Sequence, residues 1–144
     1  MMNDLILELM SHGNWIPVHR DLLFCKIERK GNFEKDNPFM STQEASILCE
    51  LINLWDLSNK REKTIEQDER EWFMCTTSFL EKHMNIGKKT QQRLINILTS
   101  NGFVEFRMIG NPARRYFSIN SKRIQQAIME GSHHRKGEFN KTNV

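Results

Sequence analysis

No apolar run in this sequence approaches the roughly 20 residues needed to span a bilayer, so a transmembrane helix is not expected. Cysteine is scarce. The three present (Cys25, Cys49, Cys75) form no CxxC pair, are odd in number, and each sits among apolar neighbours. That pattern excludes a disulfide framework and predicts reduced thiols that behave as small hydrophobes in a reducing cytoplasm. The start, Met1 to Met10, carries Asp4 and Glu8 and lacks both a basic lead and a small-residue cleavage site, so it does not read as a signal peptide. There is no Gly-rich phosphate loop and no nucleophile motif. The histidines (His12, His19, His83, His133, His134) share no i, i+4 ligand spacing, and the cysteines complete no metal set. The acidic run Glu66, Asp68, Glu69 and Glu71, interleaved with Arg70, reads as a solvated face rather than a nuclease site. No enzyme, no metal and no cofactor are expected.

Charge is present but segregated. The formal net charge is only +3 over 144 residues. Residues 1–81 hold nine Lys or Arg against fifteen Asp or Glu, a net of −6, whereas residues 82–123 hold nine against Glu105 alone, a net of +8. Such a division predicts a basic face for a polyanion and a separate acidic region for something else.

Three polar stretches break the chain. Residues 28–38 (ERKGNFEKDNP) read as a loop, and 58–71 (SNKREKTIEQDERE) as either a solvated connection or a polar helix extension. Residues 131–144 (GSHHRKGEFNKTNV) read as a disordered tail. Between them, Ser41 and Glu44 form a capping box for a helix with Ala45, Leu48, Cys49, Ile52 and Trp55 on its apolar side. Trp72 to Cys75 suits a short buried strand. Thr76 or Thr77 caps a helix burying Phe79, Leu80 and Met84; Gly87 marks a tight turn. A helix over Lys88–Ser100 buries Leu94, Ile95 and Leu98 and stops at Asn101-Gly102. Phe103 to Ile109 alternates as a half-buried strand with Val104, Phe106 and Met108 on one side. Gly110-Asn111-Pro112 turns, Arg115 to Ile119 returns as a strand, and Ser121 caps a helix to about residue 130. The expected fold is mainly α with a small β-hairpin (α+β). Residues 41–120 form a winged helix-turn-helix, with residues 1–40 as an extension on the core or on a dimer partner. Within that extension Met1–Met10 reads as an amphipathic helix that caps its own core or pairs with a second copy. Trp15, Trp55 and Trp72 read as core or dimer anchors.

The chemistry lies in the second helix of the pair. Its outward positions are Lys88, Lys89, Gln92, Arg93 and Asn96. Lysines at a helix start suit phosphates, where free N–H groups also favour anions. Arg pairs with guanine edges, and Gln or Asn with adenine edges, in a major groove wide enough to admit a helix. Thr90 either bonds a phosphate or packs. The turn Gly110-Asn111-Pro112-Ala113 sets Asn111, Arg114 and Arg115 as a second contact on the DNA backbone or in the minor groove.

The stretch IGKKTQQRLINILTSNGFVEFRMIGNPARRYFSIN resembles the winged-helix domain at the N-terminus of bacteriophage and plasmid replication initiators and replisome organisers. The preceding WIPVHRDLL is similar to the lead-in of those proteins. The resemblance implies duplex DNA as partner, a role in replication initiation in a bacterial host's cytoplasm or nucleoid, and a host or replication protein as a further partner for the acidic N-terminal half. A phage-borne transcription regulator, or an inhibitor or adaptor of a host protein built on the same scaffold, stays open beside it.

Overall fold

The computed structural model describes residues 18–30 and 37–142, with side chains through residue 137. The Met1–Met10 helix and Trp15 lie outside the described residues, as does the centre of the 28–38 loop.

Helix α1 (Thr42–Lys60) starts where the sequence places it. Ser41 accepts from the Glu44 N–H, and the Glu44 carboxylate accepts in return from the Ser41 N–H. Ala45, Ile47, Leu48 and Leu51 fill the core. The polar stretch after Trp55 is partly helix extension, closed by an Asp56–Lys60 pair four residues apart. It then forms a hairpin of β1 (Ile65–Gln67) and β2 (Arg70–Met74). Both residues of its turn, Asp68 and Glu69, have positive φ (53° and 60°), the geometry a twisted two-residue hairpin demands. Neither is the glycine or asparagine that announces such a turn.

From β2 the chain enters α2 (Thr77–Met84) and α3 (Lys88–Ser100), then the hairpin β3 (Val104–Ile109) and β4 (Arg114–Ile119). The sheet is antiparallel in the order β1-β2-β4-β3, larger by β1 than the hairpin and the short Trp72–Cys75 strand expected. β4 lies between β2 and β3, with Phe117 opposite both Phe73 and Phe106. Phe73, Phe103 and Phe117 are fully buried with Leu80, Leu94 and Leu98, which makes one core between the sheet and the helices. Trp72, also buried, faces the other side of the sheet, under the Arg107 guanidinium at 4.4 Å. β3 outlasts that core: Val104 is buried, but Phe106 and Met108 are 41 % and 61 % exposed.

The remaining helix, α4 (Ser121–Thr142), corrects the expectation of a stop near residue 130 and a disordered tail after it. It packs on a short 3-10 turn, Arg20–Phe24, whose Leu22 joins the core with Cys25 and Ile27. The close approach is made at Gly131, where a Cβ would lie 1.7 Å from the Asp21 carbonyl oxygen. His134 Nδ1 then contacts the Phe24 carbonyl at 3.2 Å, and Arg135 pairs with Asp21. A glycine that reads as a helix breaker in sequence is what lets this helix dock.

Candidate nucleic-acid interface

The α2–α3 turn sets the interface. Thr76 caps α2 by accepting from the Phe79 N–H. Asn85, at φ 54°, ends it in the left-handed conformation that Asn tolerates. Gly87, by contrast, has φ −67° and open space where a Cβ would be, so the turn does not depend on it. Gln91 does what the sequence did not announce. Fully buried, it donates from Nε2 to the carbonyls of Thr77 and Ile86, both at 2.9 Å, and so fixes α3 against α2.

With Leu94, Ile95 and Leu98 turned inward, α3 presents Lys88, Lys89, Gln92 and Asn96 to solvent. Gln92 and Asn96, one turn apart, form a crest between two depressions. On the wing side a small cleft of about 150 Å³ runs between Lys88, Ile95, Phe106 and Arg115. On the other side a groove of about 670 Å³ is lined by Lys89, Arg93, Ile97 and, from the chain between the 3-10 turn and α1, Arg29 and Lys30. Arg93 is half-buried there, its guanidinium 3.4 Å from Gln43 Oε1 near the start of α1. Thr90 is half-buried at the base of α3. Among the described residues no carboxylate pairs with Lys88, Lys89, Arg93 or Arg114.

The wing divides the two arginines expected to act together. Gly110 adopts φ 94° at the hairpin turn, and Asn111 and Arg114 beside it are exposed. Arg115 points inward instead. Its Nε donates to the Cys75 carbonyl at 2.8 Å, its Nη2 to Gln91 Oε1 at 3.2 Å, and its guanidinium lies 4.9 Å over the Phe117 ring. Burial lowers its pKa, opposed by Cys75. Consecutive strand residues face opposite sides, so Arg114 and Arg115 cannot share a surface. Arg115 thus braces the wing against the helix pair, from the floor of the cleft between Lys88 and Phe106.

Other cations of the basic segment are also spent internally. Arg107 covers Trp72 and pairs with Asp68; Arg123 lies 4.5 Å over Phe103 and donates to the Asn101 carbonyl. Of the acidic run, Asp68 is thereby paired and Glu71 accepts from the Trp55 indole at 2.9 Å. Among the described residues no group of three or more His, Cys, Asp or Glu side chains converges on a metal-sized site, and no helix is long and apolar enough to cross a membrane.

No protein-family model matches this chain, and none of the curated proteins matches it significantly in sequence. Its fold does match solved structures. One is a chain from the structure of a Rep–DNA complex, at a TM-score of 0.56 and 10% identity over 79% of this chain and 80% of that one. Another is the N-terminal domain of a DNA-binding protein, at a TM-score of 0.54 and 12% identity over 83% and 82%. At these identities the likeness is one of architecture, and it extends over most of both chains: the winged helix built here is a fold shared with a chain of a Rep–DNA complex and with a DNA-binding protein's N-terminal domain.

Proposed function

We propose that the chain binds double-stranded DNA through α3 and the wing, by binding alone and without bond-making chemistry of its own, and that it serves replication initiation in a phage or mobile element. The observation that carries the reading is the solvent face of α3, where Lys88, Lys89, Gln92 and Asn96 stand exposed with no carboxylate partner among the described residues. In the major groove, Lys88 and Lys89 neutralise phosphates, Gln92, Arg93 and Asn96 reach base edges, and Thr90 supports the backbone contact from below. Arg114 and Asn111 hold a neighbouring phosphate or the minor groove, and Arg115 keeps the wing at its angle to α3. The replication role is supported by the residues of the 86–120 stretch and by the architecture shared with a chain of a Rep–DNA complex.

The test is fluorescence anisotropy with random-sequence duplex over a salt series, for the wild type and for Lys88→Glu/Lys89→Glu. Salt-sensitive binding that the double variant abolishes supports the reading, since phosphate contacts release counterions. A folded wild type that binds no duplex at low salt removes it. Selection from a random duplex library then separates roles: an initiator's site recurs at an origin, a repressor's at a promoter.

A further inference from the structure

The geometry points to a second DNA-backbone contact on the flank of α3 opposite the wing, made by Lys30 on a rigid two-stranded stem. This rests on the proposal that α3 lies in a major groove.

The stem is built from residues 26–30 and 37–40. Lys26 pairs with Phe39, the Ile27 N–H donates to the Pro38 carbonyl at 3.0 Å, and the Met40 N–H to the Cys25 carbonyl at 2.9 Å. Two buried anchors hold it. Arg29 forks onto Glu44 with contacts of 2.8 and 2.7 Å, and also donates to the Asn37 and Phe39 carbonyls. Ile27 enters the core. The third attachment is to the interface helix itself. Asn101, at the end of α3, accepts from the Glu28 N–H at 2.9 Å and donates to the Glu28 carbonyl at 2.8 Å. The stem therefore cannot shift relative to α3 without breaking both bonds.

Alternation along the stem turns Arg29 inward and Lys30 outward, to the rim of the 670 Å³ groove. The groove's opposite wall carries Lys89 and Arg93; its other polar residues are Gln92, Asn96, Thr99 and Ser100, and among the described residues no carboxylate lines it. A channel with cations on both walls suits a phosphodiester backbone, and its Thr99 and Ser100 hydroxyls, which donate to the Ile95 and Ile97 carbonyls, leave that contact to the cations. A helix in the major groove has one strand's backbone on either flank. Arg114 on the wing serves one and Lys30 the other, so α3 is bracketed from two sides.

The test measures duplex affinity against salt for the wild type, Lys30→Ala, Lys30→Arg and Lys60→Ala, the last an equal loss of charge from an exposed position at the end of α1. One lost phosphate contact lowers the log–log slope by about 0.9. Expected is that drop for Lys30→Ala, wild-type slope for Lys30→Arg, and no change for Lys60→Ala. Wild-type slope in Lys30→Ala, with Lys88→Glu/Lys89→Glu still abolishing binding, overturns the stem contact and leaves the α3 reading intact. Equal drops in Lys30→Ala and Lys60→Ala also overturn it, as an effect of net charge alone. A wild type that binds no duplex overturns both.

Discussion

Arg114 and Arg115 are adjacent in sequence and opposite in consequence. Replacing Arg114 with Ala removes an exposed cation, so the salt slope should fall by about one while the melting temperature holds. Replacing Arg115 strips the partner from the buried face of Gln91 and from the Cys75 carbonyl. That should cost about 1–3 kcal/mol in urea unfolding with the slope nearly unchanged. Two buried glutamates on α1 form a similar contrast. Burial raises the Glu44 pKa, but the Arg29 fork and the Ser41 hydrogen bonds outweigh it and hold the group below its usual 4.5. Its contribution is complete at neutral pH and disappears as pH falls through that lowered value. Burial pushes Glu50 up, with His83 opposing, so its ionised form is a cost that sets in as pH rises through its folded pKa. Denaturation of Glu44→Gln and Glu50→Gln at pH 7 should therefore show the first less stable than wild type and the second equal or more stable. If both lose stability alike, the Glu50 side chain is held by a bond that needs its charge.

At the scale of elements, the capping box, the Thr76 cap and the inward triplet of α3 were legible because each is a local rule applied to local residues. The hairpin β1–β2 was hidden because its turn uses Asp68 and Glu69 in a conformation usually left to Asn or Gly. Gln91 was passed over because it is polar, although its spacing to Leu94, Ile95 and Leu98 (i+3, i+4, i+7) puts it on the inward face of α3. The alternation that separates Arg114 from Arg115 was present in the sequence, and applying it to the strand's first residues would have found the brace. The extent of α4 depended on a contact about 110 residues distant in sequence, between Gly131 and Asp21. In an isolated helix Gly→Ala gains about 1 kcal/mol. Here the added Cβ meets backbone that cannot yield, so Gly131→Ala should destabilise by about 1–3 kcal/mol and lower the helical signal in circular dichroism. A gain in melting temperature would mean that α4 stands off the 3-10 turn.

For the molecule as a whole, the sequence carried the order of elements and the position of the α3 surface, whereas the stem of residues 26–30 and 37–40 read only as a loop. Its placement is decided by Asn101 and Glu44, partners remote in the chain. The sheet order matters in the same way. β2 precedes the helix pair and β4 follows it, yet the two are neighbours, joined at Phe73–Phe117 and by the Cys75 N–H on the Arg115 carbonyl at 3.0 Å. The unit from β2 to β4, which carries α3, is thus a loop sewn shut at its base. Amide protons of Phe117 and Cys75 should exchange with deuterium only as fast as the entire domain unfolds, while those at the wing tip around Asn111 exchange freely. A surface closed in this way meets a partner without rearranging, and a protease should cut the exposed wing tip before it cuts β2 or β4.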